Sequence, residues 1–261
     1  MLRADEYIVH HLTNLTLNVK TWSLTTQKSF WTLDLDTIGV SIFLGTLMLL
    51  VFWLAARKAS LEKPGKWQNF VEALIEWIGG LCTENLPVAI TFIGPLALTI
   101  FIWVLLMNFM DLIPVDLLPV IMSWFGVHYF RAVPTADINT TMGLGLSVFL
   151  LLIYYNLKYK GFFGRSKEIL CQPYGIWFLP LNIAFHAIEA FVKPFSLALR
   201  LFGNLFAGEI ICVLIAAVLP FWIQPAVGLL WSLSHFLIII IQAFIFMFLT
   251  VMYISMAVSE H

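Results

Sequence analysis

The sequence predicts an all-α integral membrane protein. Its expected parts are one separate transmembrane helix, an interfacial amphipathic helix, further membrane helices, and two long tilted C-terminal helices forming a hairpin. Three observations predict this. Of 261 residues, 61% are hydrophobic and only 11% charged, against about 25% charged in ordinary soluble domains. Mean hydropathy is +0.93. The apolar residues also fall into runs of about 20 or more, the length needed to cross a bilayer.

The segment 1–36 is polar, carries scattered charges and shows no signal-peptide pattern, so membrane insertion is expected to be directed by the spans themselves. A first span is expected over 37–56, followed by a basic, helix-breaking loop at 57–66 that contains Arg57, Lys58, Lys66 and the Pro64-Gly65 pair. From 67 to 85 the apolar positions 67, 70, 71, 74, 75, 78 and 81 recur at helical spacing, with Glu72 and Glu76 on the opposite face. Such a helix lies along an interface more often than it crosses one.

Further spans are expected at 92–113 and 138–157, joined by an acidic loop over 114–137. A basic loop follows at 158–177, with Lys158, Lys160, Arg165 and Lys167. The positive-inside rule places both basic loops in the cytoplasm, with the N-terminus and the 114–137 loop on the other side and the C-terminus in the cytoplasm. The last two apolar stretches, 178–219 and 226–258, each exceed the hydrocarbon thickness and must tilt, kink or run along the membrane. Pro194 is a candidate kink.

The three cysteines are widely spaced and read as packing residues. No basic tract points to nucleic acid, and no phosphate-binding glycine loop points to a nucleotide.

Ionisable residues at membrane depth are costly and therefore informative. Each costs about 2.5–3.5 kcal/mol on insertion scales. Between Phe195 and Val258 the only formal charges are Arg200 and Glu209, with Asn204, His235 and Gln242 around them and His186, Glu189 and Lys193 upstream. Asn204 lies one helical turn after Arg200, on the same face. Glu209 is rotated about half a turn and about 13 Å further along, so Arg200 and Glu209 cannot form an intrahelical pair. His235 and Gln242 share one face of the last helix, about 10 Å apart. That face is placed to meet the Asn204–Glu209 region, giving the titratable and hydrogen-bonding groups that a proton path requires. Glu189 and Lys193 also have the spacing of a simple i,i+4 ion pair.

The segment from Lys193 to Glu209, KPFSLALRLFGNLFAGE, resembles the signature of subunit a of the F-type ATP synthases, of the proteobacterial type. The stretch from Gln242 to Met256 resembles that family's last helix, and Met110–Pro114 and Pro134–Asn139 resemble further family segments. The resemblance implies a proton-translocating stator subunit with no nucleotide chemistry and no cofactor, the transported ion being H+. It implies a rotating ring of small hairpin c subunits and the peripheral-stalk b subunits as partners, in a bacterial inner membrane.

It makes Arg200 the essential arginine facing the ring carboxylate. Asn204, Glu209, His235 and Gln242 become residues of the half-channel open to the periplasm. His186 and Glu189 are weaker candidates for the path, and Asp111, Asp116 and Asp137 are candidates near its mouth. Two rival classes are a proton-coupled secondary transporter and an intramembrane metal enzyme using His186, Glu189, Glu209 and His235. The first lacks an internal repeat and the second lacks compact ligand spacing.

Overall fold

The protein is described from a computed structural model that covers residues 13–25, 29, 31–60, 64–86, 91–114, 117–124, 130–131, 133–171 and 174–258, apart from the side chains at 165, 167, 168, 171 and 176. Three short strands come first: β1 (Thr16–Asn18), β2 (Ser23–Thr25) and β3 (Thr32–Asp34). The helices follow as α1 (Leu35–Arg57), α2 (Lys66–Asn85), α3 (Ile93–Phe109), α4 (Leu117–Ser123), α5 (Ile138–Cys171), α6 (Leu179–Val218) and α7 (Gln224–Val258). Single 3-10 turns lie at Met110–Leu112, Pro134–Ala136 and Ile176–Phe178. Five of the described helical stretches are long and apolar enough to cross a membrane: Leu35–Arg57, Ile93–Leu112, Ile138–Gly164, Leu179–Val218 and Gln224–Val258. The amphipathic α2 is not among them.

The mainly helical architecture agrees with the sequence reading, with four departures. The N-terminal segment, read only as polar and extracytoplasmic, contains a three-stranded antiparallel sheet in the order β2-β1-β3. The segment 114–137, read as a loop, contains α4 and a 3-10 turn. The basic segment 158–177 is helical as far as Cys171, bent at Gly161, whose φ of 67° and ψ of 170° leave the helical region. A side chain there would be strained, which is why glycine can place the bend. Pro194 does not interrupt α6, which is one continuous helix from Leu179 to Val218.

Two compact units can be distinguished. The first comprises residues 1–54, 102–140 and 201–243; the second comprises 55–101, 141–200 and 244–261. In the first, Trp103 of α3 donates its indole N–H to the Ser41 carbonyl of α1 at 3.1 Å. Gly45 on α1 leaves room for that indole, since a Cβ there would lie 3.3 Å from Trp103 Nε1. The α6–α7 connection is closed by Gln224, whose amide donates to the carbonyls of Ala216 and Leu219 at 2.9 and 2.8 Å. These are acceptors that a helix C-terminus leaves without intrahelical partners.

In the second unit α5 and α6 approach closely at Gly145. A Cβ at that position would meet the Pro194 carbonyl oxygen at 2.8 Å and Ala198 Cβ at 3.1 Å. Asn182, fully buried, donates to the carbonyls of Leu170 and Gly175 and accepts from the Tyr174 N–H. One amide side chain thus satisfies the irregular backbone entering α6, where unpaired groups would be costly in an apolar setting.

Candidate functional site

The site is built from charges that the membrane environment would otherwise reject. In the first unit, Glu209 of α6 is buried and accepts from the guanidinium of Arg131. Arg131 Nε lies 3.0 and 3.1 Å from the two carboxylate oxygens, and Nη2 donates to Oε2. Nη2 also donates to the Ala136 carbonyl at 3.1 Å, and the guanidinium lies 5.7 Å from the ring centroid of Phe206. The planar fork of arginine suits this bidentate grip. Burial alone would lower the Arg131 pKa. The hydrogen bond and charge of Glu209, with the charges of Asp137 and Asp36, outweigh that effect and hold it above the ordinary arginine value.

Asp36 fixes the backbone around this pair. It lies buried in the first turn of α1, where the helix dipole favours a carboxylate. Its Oδ2 accepts from the backbone N–H groups of Leu15 and Arg131, both at 3.0 Å, while Oδ1 accepts from Thr37 N at 2.8 Å. Asp137, also buried, accepts from the Asn139 N–H at 3.2 Å at the start of α5.

A second pair joins α7 to the turn after α3. His235 Nε2 donates to Asp111 Oδ2 at 2.5 Å, with Trp231 stacked on the imidazole at 5.7 Å and 20° between ring planes. Histidine and aspartate are both almost wholly buried. On α6, Gly208 faces the imidazole, and a Cβ at 208 would overlap the ring. Gly208→Val is therefore expected to displace His235 and lower ATP-driven proton pumping at least tenfold, measured by dye quenching in membrane vesicles. Normal pumping by that variant would show that His235 can move without consequence.

One turn nearer Arg200, Asn204 Nδ2 donates to Gln242 Oε1 at 2.8 Å. Asp111, Arg131 and Glu209 line a common cavity of about 30 Å³, large enough for a water molecule. Both amide atoms of Asn108, the Thr135 hydroxyl and His235 Nδ1 are buried without a hydrogen-bond partner among the described residues. Such atoms in a native protein ordinarily bind water.

Arg200 differs from all of these. It is exposed on α6. Among the described residues it has no hydrogen bond or ion pair, whereas the neighbouring exposed residues on the same helix include Phe195 and Leu199.

In the second unit, Glu189 pairs with Lys193 at 2.6 Å, the i,i+4 pairing its spacing suggests, and lies 3.8 Å from His186 Nδ1. The Lys193 ammonium is 5.5 Å from the Tyr253 ring centroid. Asn156, Lys160, His186, Glu189, Lys193 and Tyr253 contribute to the lining of a cavity of about 540 Å³.

The sequence set the His235–Gln242 face toward the Asn204–Glu209 region, and the structure joins Asn204 to Gln242. It brings His235 to Asp111 and does not join it to Glu209. Arg131 and Asp36 were missed as site residues, because both lie in polar segments with no periodicity. The signal available for Arg131 was its position as a lone cation in an otherwise acidic loop. Asp116 lies outside the described residues. Among the described residues, no three His, Cys, Asp or Glu side chains are grouped to hold a metal ion.

Long apolar helices with buried, paired ionisable groups between them define a multi-pass membrane protein of the ion-translocating class. The ATP synthase A chain family matches residues 38–255. The chain is 50% identical over 260 residues to the ATP synthase subunit a of Coxiella burnetii (strain CbuK_Q154), covering 100% of this chain and 98% of that one. It is 47% identical over 276 residues to the ATP synthase subunit a of Marinomonas sp. (strain MWYL1), covering 99% and 98%. The chain belongs to the ATP synthase A chain family. Its task is that of the non-catalytic, proton-translocating stator subunit of the F-type enzyme.

Proposed function

We propose that Arg200 is the electrostatic barrier against which a rotating ring of small, carboxylate-bearing c subunits releases its protons. Asp111, Asn204, Glu209, His235 and Gln242 line the half-channel that feeds this ring from the periplasm, with Asp116 and Asp137 toward its mouth. His186 and Glu189 belong to the path in the second unit. The observation that carries this reading is a contrast: Arg200 is exposed and without an ion pair among the described residues, while Glu209 and Asp111 are buried and paired. A stator needs one cation left available for a partner's carboxylate, and its remaining charges held in place.

The chemistry follows. A protonated ring carboxylate is neutral and passes through lipid, whereas the ionised form is costly there. Arginine keeps its charge throughout, so Arg200 attracts the ionised carboxylate and favours proton release without relaying a proton itself. A proton moving down 100 mV gains about 2.3 kcal/mol, and several such steps accumulate to drive ATP synthesis elsewhere in the complex. The entry path combines the Asp111–His235 pair with waters held by Asn108, Thr135 and the free imidazole nitrogen.

The basic segments after α1 and within α5 face the cytoplasm, and the N-terminal sheet and the 114–137 segment face the periplasm, in a bacterial inner membrane. The peripheral-stalk b subunits complete the stator, and nucleic acid has no part in it.

The test is a disulfide cross-link. A cysteine at the exposed Leu199, beside Arg200, is expected to capture cysteine-bearing c subunits in the assembled enzyme; capture only of unrelated proteins refutes the ring-facing assignment. Asp111→Ala and His235→Ala are expected to impair proton conduction non-additively, because each removes the same hydrogen bond. Strictly additive effects would mean that the pair does not act as one element of the path.

A further inference from the structure

The N-terminal sheet is amphipathic in the reverse sense to a sheet on a water-soluble protein. Its register sets Leu17 opposite both Leu24 and Leu33, so the three leucines form one row across one face. At about 4.8 Å between strands, that row is about 10 Å wide. Leu24 and Leu33 are 64% and 47% exposed. The other face carries Thr16, Thr25 and Asp34 in one row and Asn18, Ser23 and Thr32 in the next. On that polar face Thr16 and Asp34 are buried.

A sheet bordered by water normally turns its apolar face inward. Here the hydroxyls and the carboxylate face the protein, and the leucines face out. Single exposed leucines are commonplace; a registered row flanked by two exposed tryptophans is not. Trp22 is 78% exposed and Trp31 50%. Lys20 Nζ lies 4.8 Å from the Trp31 ring centroid.

The outward face continues into the apolar exterior of a membrane-depth helix. β3 ends at Asp34 and α1 begins at Leu35 with no intervening residue. Trp31, Leu33 and Leu35 are exposed, and the helix carries on with exposed Ile38, Ile42 and Phe43. α1 is one of the helices long and apolar enough to cross the membrane in this multi-pass protein, so its exposed apolar side chains lie at membrane depth. The sheet therefore begins where the span meets the headgroups. Tryptophans, with a basic side chain near them, are the residues that favour this depth.

We propose that the Leu17–Leu24–Leu33 face of the N-terminal sheet, with Trp22 and Trp31, lies in the phospholipid interface and acts as a foot that sets the depth of α1. The alternative occupant of the same face is a neighbouring subunit of the complex, which would also cover apolar surface but would exclude lipid.

Spin labels distinguish these. In assembled enzyme reconstituted into phosphatidylethanolamine–phosphatidylglycerol vesicles, with the native cysteines replaced by serine, a label is placed separately at Leu24→Cys and Leu33→Cys. Labels at Ile42→Cys and Ser60→Cys serve as the lipid-facing and aqueous references. Retained ATP synthesis certifies that each labelled chain is folded. Relaxation by oxygen relative to a water-soluble nickel chelate is expected to lie between the two references at both sheet positions. A ratio equal to that at Ser60 overturns the proposal in favour of a solvated sheet. Protection from both reagents overturns it in favour of a protein partner.

Discussion

Arg200→Ala is expected to abolish ATP synthesis driven by an imposed proton gradient while leaving the chain stably in the membrane. The side chain is exposed and has no ion pair among the described residues, so its removal orphans no buried group. On the proposed ring-facing role, its effect falls on a partner carboxylate, which would lose the cation that offsets its ionisation at membrane depth. An uncompensated intramembrane charge costs about 2.5–3.5 kcal/mol, which corresponds to a loss of roughly 100-fold or more in rate. Arg200→Lys keeps a charge but loses the planar fork, and is expected to restore only part of the function. Coupled synthesis and chain abundance, measured in the same vesicles, separate loss of mechanism from loss of protein. Unchanged coupled synthesis in the alanine variant would sink the assignment.

Arg131→Met should have the opposite signature, with stability affected first. Glu209 would then be a buried carboxylate without its cation, a situation that costs about 3–5 kcal/mol when one partner of a buried pair is removed. Combining Arg131→Met with Glu209→Gln removes both charges and is expected to recover most of that stability, because the desolvation penalty of the surviving ion disappears. Thermal unfolding of the purified assembly gives the measurement. A single Arg131 variant as stable as the parent would show that Glu209 finds compensation elsewhere. The double variant is nonetheless expected to conduct protons poorly, since it retains no carboxylate at 209.

The contrast between these variants also shows what the sequence could reveal. Helical phase depends only on local spacing. It therefore separated Arg200 from Glu209 and put His235 and Gln242 on one face of the last helix, and the structure has Arg200 exposed, Glu209 buried and Gln242 hydrogen-bonded to Asn204. The partners of Glu209 and His235 are separated from them by 78 and 124 residues, one in the 114–137 segment and one in the 3-10 turn after α3. No periodicity announces such a pairing. The sheet was invisible for a different reason. Its strands are three residues long, too short for alternation to stand out against a polar background. Gly161 was legible only as a glycine; its left-handed φ depends on the direction the chain must take afterwards.

The grip on the Arg131 backbone by Asp36, at a separation of 95 residues, bears on biogenesis. As the chain emerges from its N-terminus, Asp36 and the Leu15 amide are available from the outset, and Arg131 can dock onto them once α3 is in place. Glu209 is synthesised 78 residues later, after both α5 and the first half of α6. The guanidinium must therefore wait for its counter-ion, and the lock closes only when the last helices enter. Interactions made this late act chiefly by slowing unfolding. Weakening this one should leave insertion rates nearly unchanged and shorten the lifetime of the finished subunit.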